Sequence, residues 1–185
     1  MPDTRPRPVQ IGSALRRWRQ LHRIKQTHAA ELFRVAQSTI SRWESGAQDM
    51  EPEQRRQLET LLAARLSASA DQALARLVGD SPRAMHLVCD LTHRLLACSA
   101  SRAAEFSLPL TDLMGRSLWR YASEEIVRRE AALDPLGWRD SLAPPALEFD
   151  SGANRSRIVP IRPGRCRWTR LQLSDGSAVR LVETL

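Results

Sequence analysis

Apolar side chains in the first third of the chain recur at helical spacing. The first such set lies at intervals of four and three residues and comprises Ile11, Leu15, Trp18 and Leu21. This spacing predicts a helix that begins just after Pro8. Shorter helices are predicted at about 26–34 and 37–44, and Pro52 is suited to the first turn of a fourth helix. The first part of the chain is therefore predicted to be an all-α bundle.

Beyond Pro82 the pattern changes to short apolar runs separated by turn residues. The runs that favour strands lie at 85–89, 94–98, 146–149, 157–161, 166–173 and 178–183. Helical segments are predicted between the second and third of these, at 101–106, 110–114 and 123–133. The four residues from Asp90 to His93 are placed to form a hairpin turn. We therefore expect an α+β domain built on an antiparallel sheet.

The junction between the two parts carries its own helical signals. Ser69 and Gln72 have the spacing of a capping box, which would begin a helix running through Val78. An apolar stripe crosses the junction at helical spacing and comprises Leu58, Leu62, Leu66, Ala70, Leu74 and Leu77. The stripe could form a seam between two protomers, or it could belong to two separate helices. The predicted division is a first domain at 9–66, a connecting helix at 67–80 and a second domain at 81–185.

The net charge is concentrated near the start of the chain. The 185 residues carry 28 basic and 21 acidic side chains, a net charge of +7. Residues 1–48 hold nine of the basic and three of the acidic groups, so this quarter alone has a net charge of +6. Such an excess is typical of a module that binds nucleic-acid phosphates. The alternative is a solvated basic surface without a partner.

Composition excludes several other classes of protein. No stretch has the roughly 18 apolar residues of a membrane span, and residues 1–10 lack the apolar core of a signal peptide. We therefore expect a soluble, cytoplasmic protein. Cys89, Cys98 and Cys166 are scattered without paired spacing, which indicates neither a disulfide framework nor a zinc site.

Between residues 9 and 66 the sequence resembles a known family of DNA-binding domains. The residues that carry the resemblance are Ile11, Gly12, Leu15, Arg16, Arg19, Gln26, Ala29, Ala30, Phe33, Val35, Gln37, Ser38, Thr39, Ile40, Ser41, Arg42, Trp43, Glu44 and Gly46. Their order is similar to the XRE-type helix-turn-helix of phage repressors and bacterial regulators. The resemblance differs at Arg34, where the turn usually has glycine, and at Ala36, where a serine or threonine cap is usual.

The resemblance implies a role for individual residues. Gln26 would contact a backbone phosphate and support the second helix of the motif, which would enter the major groove of double-stranded DNA. Gln37 and Ser38 would read bases, and Gln37 has the groups to pair with an adenine edge. Thr39 and Arg42 would reach phosphate or a further base. Apart from the resemblance, Ser41 is predicted on the same outward face of the helix, and Arg16 is a further candidate for contact with phosphate. The alternative is that these polar groups merely cover a helical bundle.

The second domain lacks the residues of several common effector domains. A self-cleaving repressor needs a lysine base, yet Lys25 is the only lysine and lies in the DNA-binding motif. His86 and His93 are the only histidines of this part, which is too few for a clustered metal site. We therefore expect no enzyme activity, no metal and no cofactor.

The same part instead resembles a PAS domain. The resemblance rests on the run from Leu87 to Leu96, on Leu113–Leu118, and on the order of two strands, three helices and three strands. Such a domain often encloses a cavity, and the predicted lining residues are Phe106, Trp119, Tyr121, Trp138 and Trp168. These rings could bind a small apolar or aromatic ligand, or they could simply fill the core. Cys89 and Cys98 are expected to be buried apolar side chains rather than redox sensors.

Together these patterns predict a DNA-binding transcriptional regulator, a repressor or an activator, with a PAS-like sensory or dimerisation domain. We expect a homodimer on an inverted repeat, because one recognition helix contacts too few base pairs to select a site. The alternative is a second domain that binds a protein, such as a toxin or a polymerase subunit, and no small molecule.

Overall fold

Two structural units make up the chain. The computed structural model describes residues 8–139, Ser141 and residues 143–185. The first unit extends to Ala63, and the second runs from Ala64 to Leu185. The sequence placed the end of the first domain at residue 66. In the structure, Ala64 and Leu66 pack in the core of the second unit, so the boundary lies slightly earlier.

The first unit consists of helices that enclose one apolar core. The helices are α1 (Pro8–Leu21), α2 (Gln26–Phe33), α3 (Gln37–Ser45) and α4 (Pro52–Leu62). The buried core comprises Ile11, Leu15, Ala29, Ala30, Phe33, Ile40, Trp43 and Leu58. Of the apolar set predicted to share one face of the first helix, Ile11 and Leu15 are buried and Trp18 is partly buried, whereas Leu21 at the end of α1 is exposed. No helix in the described part of the chain is both long and apolar enough to cross a membrane.

Helices α1 and α3 approach each other closely at Gly12. A Cβ atom at this position would lie 1.9 Å from the carbonyl oxygen of Trp43 and 2.9 Å from its carbonyl carbon. Real atoms cannot approach backbone that closely, so only glycine fits here. The side chain of Trp43 packs edge-on against Phe33, with ring centroids 6.1 Å apart. Gly12 therefore sets the distance at which α3 packs on the bundle.

The turn between α2 and α3 lacks the two stabilising residues, a glycine and a hydroxyl cap, that are usual in the family that the sequence resembles. Arg34 ends α2 in the left-handed region, with φ 54° and ψ 45°, where glycine is favoured. Ala36 precedes α3 with extended backbone and offers no side-chain cap. Each departure removes a stabilising feature that contributes about 1 kcal/mol.

The segment between α4 and the next helix is not helical, so the apolar stripe predicted across the junction belongs to two separate helices. Residues 63–68 lie outside any helix, and α5 spans Ser69–Gly79. The stripe therefore divides: Leu58 and Leu62 pack in the first unit, and Leu66 and Leu74 pack in the second. The predicted capping box is also wrong, since Asp71, not Gln72, caps α5. Its carboxylate accepts the Ala68 N–H at 3.3 Å and the Ser174 N–H at 3.0 Å.

The second unit is an α+β domain with a five-stranded antiparallel sheet. The strands are β1 (Met85–Cys89), β2 (Leu95–Cys98), β3 (Leu147–Asp150), β4 (Arg165–Gln172) and β5 (Ala178–Thr184), in the order β2-β1-β5-β4-β3. Between β2 and β3 lie α6 (Ala100–Ala103), α7 (Leu110–Leu113), a 3-10 turn (Trp119–Tyr121) and α8 (Glu124–Ala131). The predicted antiparallel sheet and the hairpin at Asp90–His93 are confirmed, with His93 in the left-handed region.

The predicted strand at 157–161 is absent, and the segment forms a loop. Pro160 lacks the N–H that a sheet ladder requires. Side chains satisfy the loop's backbone instead: Asn154 donates to the Val159 carbonyl at 2.9 Å and accepts the Ile161 N–H at 2.9 Å. Ser156 accepts the Val159 N–H at 3.2 Å. These local bonds replace those of a strand.

The two faces of the sheet bury different side chains. On one face, Leu87, Cys89 and Val179 pack with Val78 of α5. On the other face, Val88 and Cys98 pack with residues of the helical segment between β2 and β3. This second face also carries Cys166, Trp168, Arg170 and Arg180, because alternate residues of a strand share a face. The cavity and the buried charged side chains of this unit lie on this face.

The close approach at Gly12 gives a test of the bundle's packing. We expect Gly12→Ala to lower the free energy of unfolding by about 1–3 kcal/mol, because α1 and α3 must separate. Helix propensity alone would give the opposite sign, since alanine favours helices more than glycine does. Gly79→Ala is the matched control, because its Cβ would meet nothing nearer than 4.0 Å. Chemical denaturation measures both, and equal stability of the two variants would contradict the packing described here.

Candidate functional site

Helix α3 presents a polar surface on the first unit. Gln37, Ser38, Ser41 and Arg42 are exposed, whereas Ile40 and Trp43 on the opposite side are buried. Thr39 is half-buried, and Arg16 is exposed on α1. The exposed groups combine an amide, two hydroxyls and a guanidinium, which can donate to and accept from base edges and phosphates.

A chain of hydrogen bonds fixes the first residue of α3. The Gln37 amide nitrogen donates to the Gln26 side-chain oxygen at 2.5 Å, and Gln26 donates to Glu44 at 2.9 Å. Glu44 is held in turn by two bonds from Arg19, at 2.8 and 3.0 Å. The Gln37 side chain is thus positioned while remaining exposed. Gln26 also lies at the start of α2, beside the residue that it holds.

A cavity of about 200 Å3 lies on one side of the sheet in the second unit. Its floor includes Val88, Cys166, Trp168 and Val182 from three neighbouring strands. Its walls come from the segment 118–126, from the end of α6, and from the loop and turn at 151–165. The lining is predominantly apolar. This is the kind of enclosure that holds a small organic ligand.

The structure brings three of the five predicted aromatic residues to this cavity. Trp119, Tyr121 and Trp168 line it. Phe106 and Trp138 do not line it: Phe106 is buried beneath the guanidinium of Arg102 at 5.0 Å, and Trp138 is fully buried beside the sheet. Both therefore belong to the core, because their rings are enclosed by other side chains. The two alternatives for these aromatic residues thus each describe part of the set.

A buried ionic cluster lies beside the cavity, and the sequence analysis missed it. Arg180 donates to Asp90 at 2.8 and 2.6 Å and to Glu130 at 2.6 Å. Arg170 donates to the other oxygen of Asp90 at 3.2 Å. Arg139 donates to Glu130 at 2.6 Å. We call these five residues the ionic cluster; all are at least nine-tenths buried.

The ionic cluster resolves an unfavourable pairing in the sheet. Arg170 and Arg180 lie directly opposite each other on β4 and β5, where like charges repel. Asp90, at the end of β1, bonds to both. Asp134 adds a third carboxylate through Arg139, so three arginines face three acids. Period-two alternation was the available signal, because it places Arg170 on the same strand face as Cys166 and Trp168.

The acids of the ionic cluster remain charged at neutral pH. Burial raises the pKa of Glu130, but the charge of Arg180 and the contact with His93 outweigh this effect and hold the pKa below its ordinary value of 4.5. Burial likewise raises the pKa of Asp90, yet Arg180 and the neighbouring arginines hold it below its ordinary 3.8. Burial disfavours the charged form of Arg180, but its two carboxylate partners raise its pKa above the ordinary value.

His93 joins the ionic cluster to a wall of the cavity. Its Nε2 atom lies 3.5 Å from Glu130, and its ring stacks on Trp119 with centroids 4.6 Å apart. Arg180 also contacts the cavity floor, because its guanidinium lies 4.2 Å from the ring centroid of Trp168. Two of the aromatic lining residues, Trp119 and Trp168, therefore contact His93 and Arg180, the residues through which the cavity meets the ionic cluster.

The Nδ1 atom of His86 and the three cysteine side chains lie in the interior of the second unit. His86 lies within β1, and burial with the nearby charge of Arg102 lowers its pKa to about 3. Cys89, Cys98 and Cys166 are all buried thiols. Burial raises the pKa of Cys98 and of Cys166 to about 11. These two thiols are therefore protonated at neutral pH, which makes them poor nucleophiles.

Comparison with known proteins gives likenesses of low identity. No family model and no curated protein matches the chain. Among solved structures, a PAS domain of an HTR-like protein from Haloarcula marismortui is 16% identical, with a TM-score of 0.45, over 63% of this chain and 96% of that one. A PAS domain from Desulfitobacterium hafniense is 12% identical, with a TM-score of 0.41, over 60% and 99%. A sensory box histidine kinase from Vibrio cholerae is 10% identical, with a TM-score of 0.39, over 63% and 91%.

The ionic cluster predicts how stability depends on pH. Glu130→Gln should lower the free energy of unfolding by about 3–5 kcal/mol at pH 7, because it leaves Arg180 buried without one of its partners. Since the folded-state pKa of Glu130 is depressed, its stabilisation is complete above about pH 5 and is lost as the pH falls. We therefore expect a flatter dependence of stability on pH in the variant, measured by denaturant unfolding between about pH 7 and pH 3.

The control for this prediction lies on the same helix. Glu125→Gln removes a more exposed carboxylate that pairs with the exposed Arg128, so its cost should stay below about 1 kcal/mol. If Glu130→Gln cost no more than Glu125→Gln, the ionic cluster would contribute nothing to the stability of the second unit.

Proposed function

We propose that this protein is a DNA-binding transcriptional regulator whose second unit binds a small ligand and carries out no catalytic step. The observation that carries the proposal is the fixed, exposed side chain of Gln37 at the start of α3. A hydrogen-bonded chain from Arg19 holds it, as a base-reading group requires. The proposal places α3 in the major groove and makes α2 and α3 an XRE-type helix-turn-helix.

Charge and exposure support the DNA-binding part of the proposal. Residues 1–48 have a net charge of +6, from nine basic and three acidic side chains. Arg16 and Arg42 are exposed and available to phosphates. Gln37 can form two hydrogen bonds to an adenine edge, with Ser38 and Ser41 beside it. In this proposal Gln26 contacts a phosphate while it positions Gln37.

The cavity supports the sensory part of the proposal. A PAS-like unit would hold the ligand against Trp119, Tyr121 and Trp168, whose rings offer apolar surface and polar edges. A ligand changes DNA affinity only if it binds two arrangements of the protein with different affinities. Because Trp119 stacks on His93, ligand contact with this wall reaches the ionic cluster.

DNA binding can be tested with selected duplexes and matched variants. The full chain should enrich a distinct sequence from randomised double-stranded DNA. Gln37→Ala should then lower affinity for that sequence about 5- to 150-fold, equivalent to about 1–3 kcal/mol, and relax preference at one base position. Arg42→Ala should instead weaken all sequences alike and reduce the salt dependence, as measured by fluorescence anisotropy.

Gln72→Ala is the control, because Gln72 is an exposed glutamine on α5 of the second unit. Its affinity and base preference should equal those of the unchanged protein. If no duplex binds at low salt, or if Gln37→Ala behaves like Gln72→Ala, the assignment of α3 as the recognition helix is wrong.

We propose a homodimer through the outer surface of α5. Leu77 is 71% exposed there, and Ala70 lies seven residues earlier on the same helix side. Sedimentation of the full chain should give about twice 20.9 kDa, and Leu77→Glu should give the monomer mass. Leu136→Glu, at another exposed leucine, should leave the dimer intact. A monomer before mutation, or a dimer that survives Leu77→Glu, would contradict this assignment.

A further inference from the structure

The cavity contains buried nitrogen atoms that lack partners. The side chain of Arg102 lines it and is 7% exposed, and its Nε has no hydrogen-bond partner among the described residues. The other two nitrogens of this guanidinium are occupied, by Glu105 and by the Pro160 carbonyl at 3.0 Å. The Nδ1 atom of His86, also in the lining, is buried without a partner in the same part of the structure.

An unpaired buried donor is costly, and this cost favours a ligand that can accept. Leaving such a group unsatisfied costs about 1–3 kcal/mol, and more for a charged group. An arginine Nε–H can only donate. Neutral His86 can donate from Nδ1, depending on its tautomer. The two groups line the same cavity from β1 and α6, so one ligand with acceptor oxygens could satisfy both.

The charges around the cavity favour a negative ligand. Four arginines line it, namely Arg102, Arg162, Arg165 and Arg180, against one carboxylate, that of Glu105. The ionic cluster neutralises Arg180. Arg162 and Arg165 are exposed at the rim. Arg165 pairs with the carboxylates of Glu148 and Asp150 on β3, whereas Arg162 forms no ion pair within the described ranges and is the rim charge left for a ligand. An anion approaching this rim would be attracted, whereas an ammonium group would meet like charges.

The rest of the lining limits the size and polarity of the ligand's body. Trp119, Tyr121, Trp168, Val88 and Val182 present rings and branched side chains. Most of their surface is apolar and cannot form hydrogen bonds, so these side chains do not match the many hydroxyl groups of a sugar or a polyol. A volume of about 200 Å3 suits a compact body of one ring or a short branched chain.

We propose, on the basis of the sensory function proposed above, that the cavity binds a small organic acid. Its carboxylate would accept hydrogen bonds from Arg102 Nε and His86 Nδ1, and its aromatic or branched apolar body would lie against Trp119 and Trp168. The acid needs one carboxylate only, since Arg102 and His86 provide a single recognition point. No covalent bond is formed or broken.

Pairs of acids and their primary amides test this class directly. Benzoate, phenylacetate, cinnamate and 3-methylbutanoate are titrated into the full chain by calorimetry, each beside its amide of nearly the same shape. At least one acid should bind at least ten-fold more tightly than its amide. Arg102→Gln and His86→Leu should reduce that preference to less than about three-fold, while Arg128→Gln, at an exposed arginine of α8, should leave it unchanged.

The outcomes separate this inference from the proposed function. If amides bind as tightly as acids, the cavity holds ligands but the carboxylate site is wrong. If the acids keep their preference in both variants, the recognition point lies elsewhere and the inference fails. If no acid or amide binds, the sensory function falls together with it. The comparison in the unchanged protein is decisive even if Arg102→Gln does not fold.

Discussion

The packing of the second unit depends on a buried positive charge that requires carboxylate partners. Arg180 lies in the middle strand of the sheet with 1% of its surface exposed, and a guanidinium in that position is tolerated only with carboxylate partners. Asp90 and Glu130 supply them from a hairpin turn and from a helix. The ionic cluster thus joins three distant parts of the chain, since each must be in place before the charge is compensated. Its requirement for complete pairing selects one arrangement of turn, helix and sheet.

Contacts with the ionic cluster and with His93 fix two of the residues that line the cavity. Trp168 lies under the guanidinium of Arg180, and Trp119 stacks on His93, which contacts Glu130. The floor and one wall are therefore held by contacts within the protein, from Arg180 and His93, rather than by a ligand. A site that is held open in this way loses little conformational entropy when it binds. The first unit follows the same principle on a smaller scale, because a chain of hydrogen bonds from Arg19 holds the exposed side chain of Gln37.

Much of this arrangement could be predicted from the sequence, and the limits have physical causes. Helical spacing located the buried face of α1, since Ile11, Leu15 and Trp18 recur at intervals of four and three residues and pack in the core of the first unit. The hairpin at Asp90–His93 could likewise be predicted, from the short apolar runs on either side of it. The strand at 157–161 was wrong because side-chain bonds from Asn154 replace a ladder there. The apolar pattern of 157–161 carries no sign of these bonds, because they come from a polar side chain five and seven residues away from the backbone groups that they satisfy.

The cavity and the ionic cluster show the same contrast. Aromatic composition pointed to the right domain, but it could not separate Trp119 and Trp168, which line the cavity, from Trp138, which fills the core. That distinction depends on partners 48 residues apart, such as the bond from Trp138 to Asp90. The unpaired Nε of Arg102 was equally invisible, because whether a nitrogen is satisfied depends on the loop that folds over it.

If the two units act together as the ligand-responsive regulator proposed above, binding of DNA and binding of ligand must be coupled. The most direct test is a thermodynamic cycle with the selected duplex and the tightest-binding acid. The dissociation constant for DNA is measured with and without saturating acid, and that for the acid with and without DNA. Linkage requires both constants to change by the same factor, and we expect a change of about 5- to 150-fold. If neither constant changes, the units bind their partners independently and the protein is not a ligand-responsive regulator.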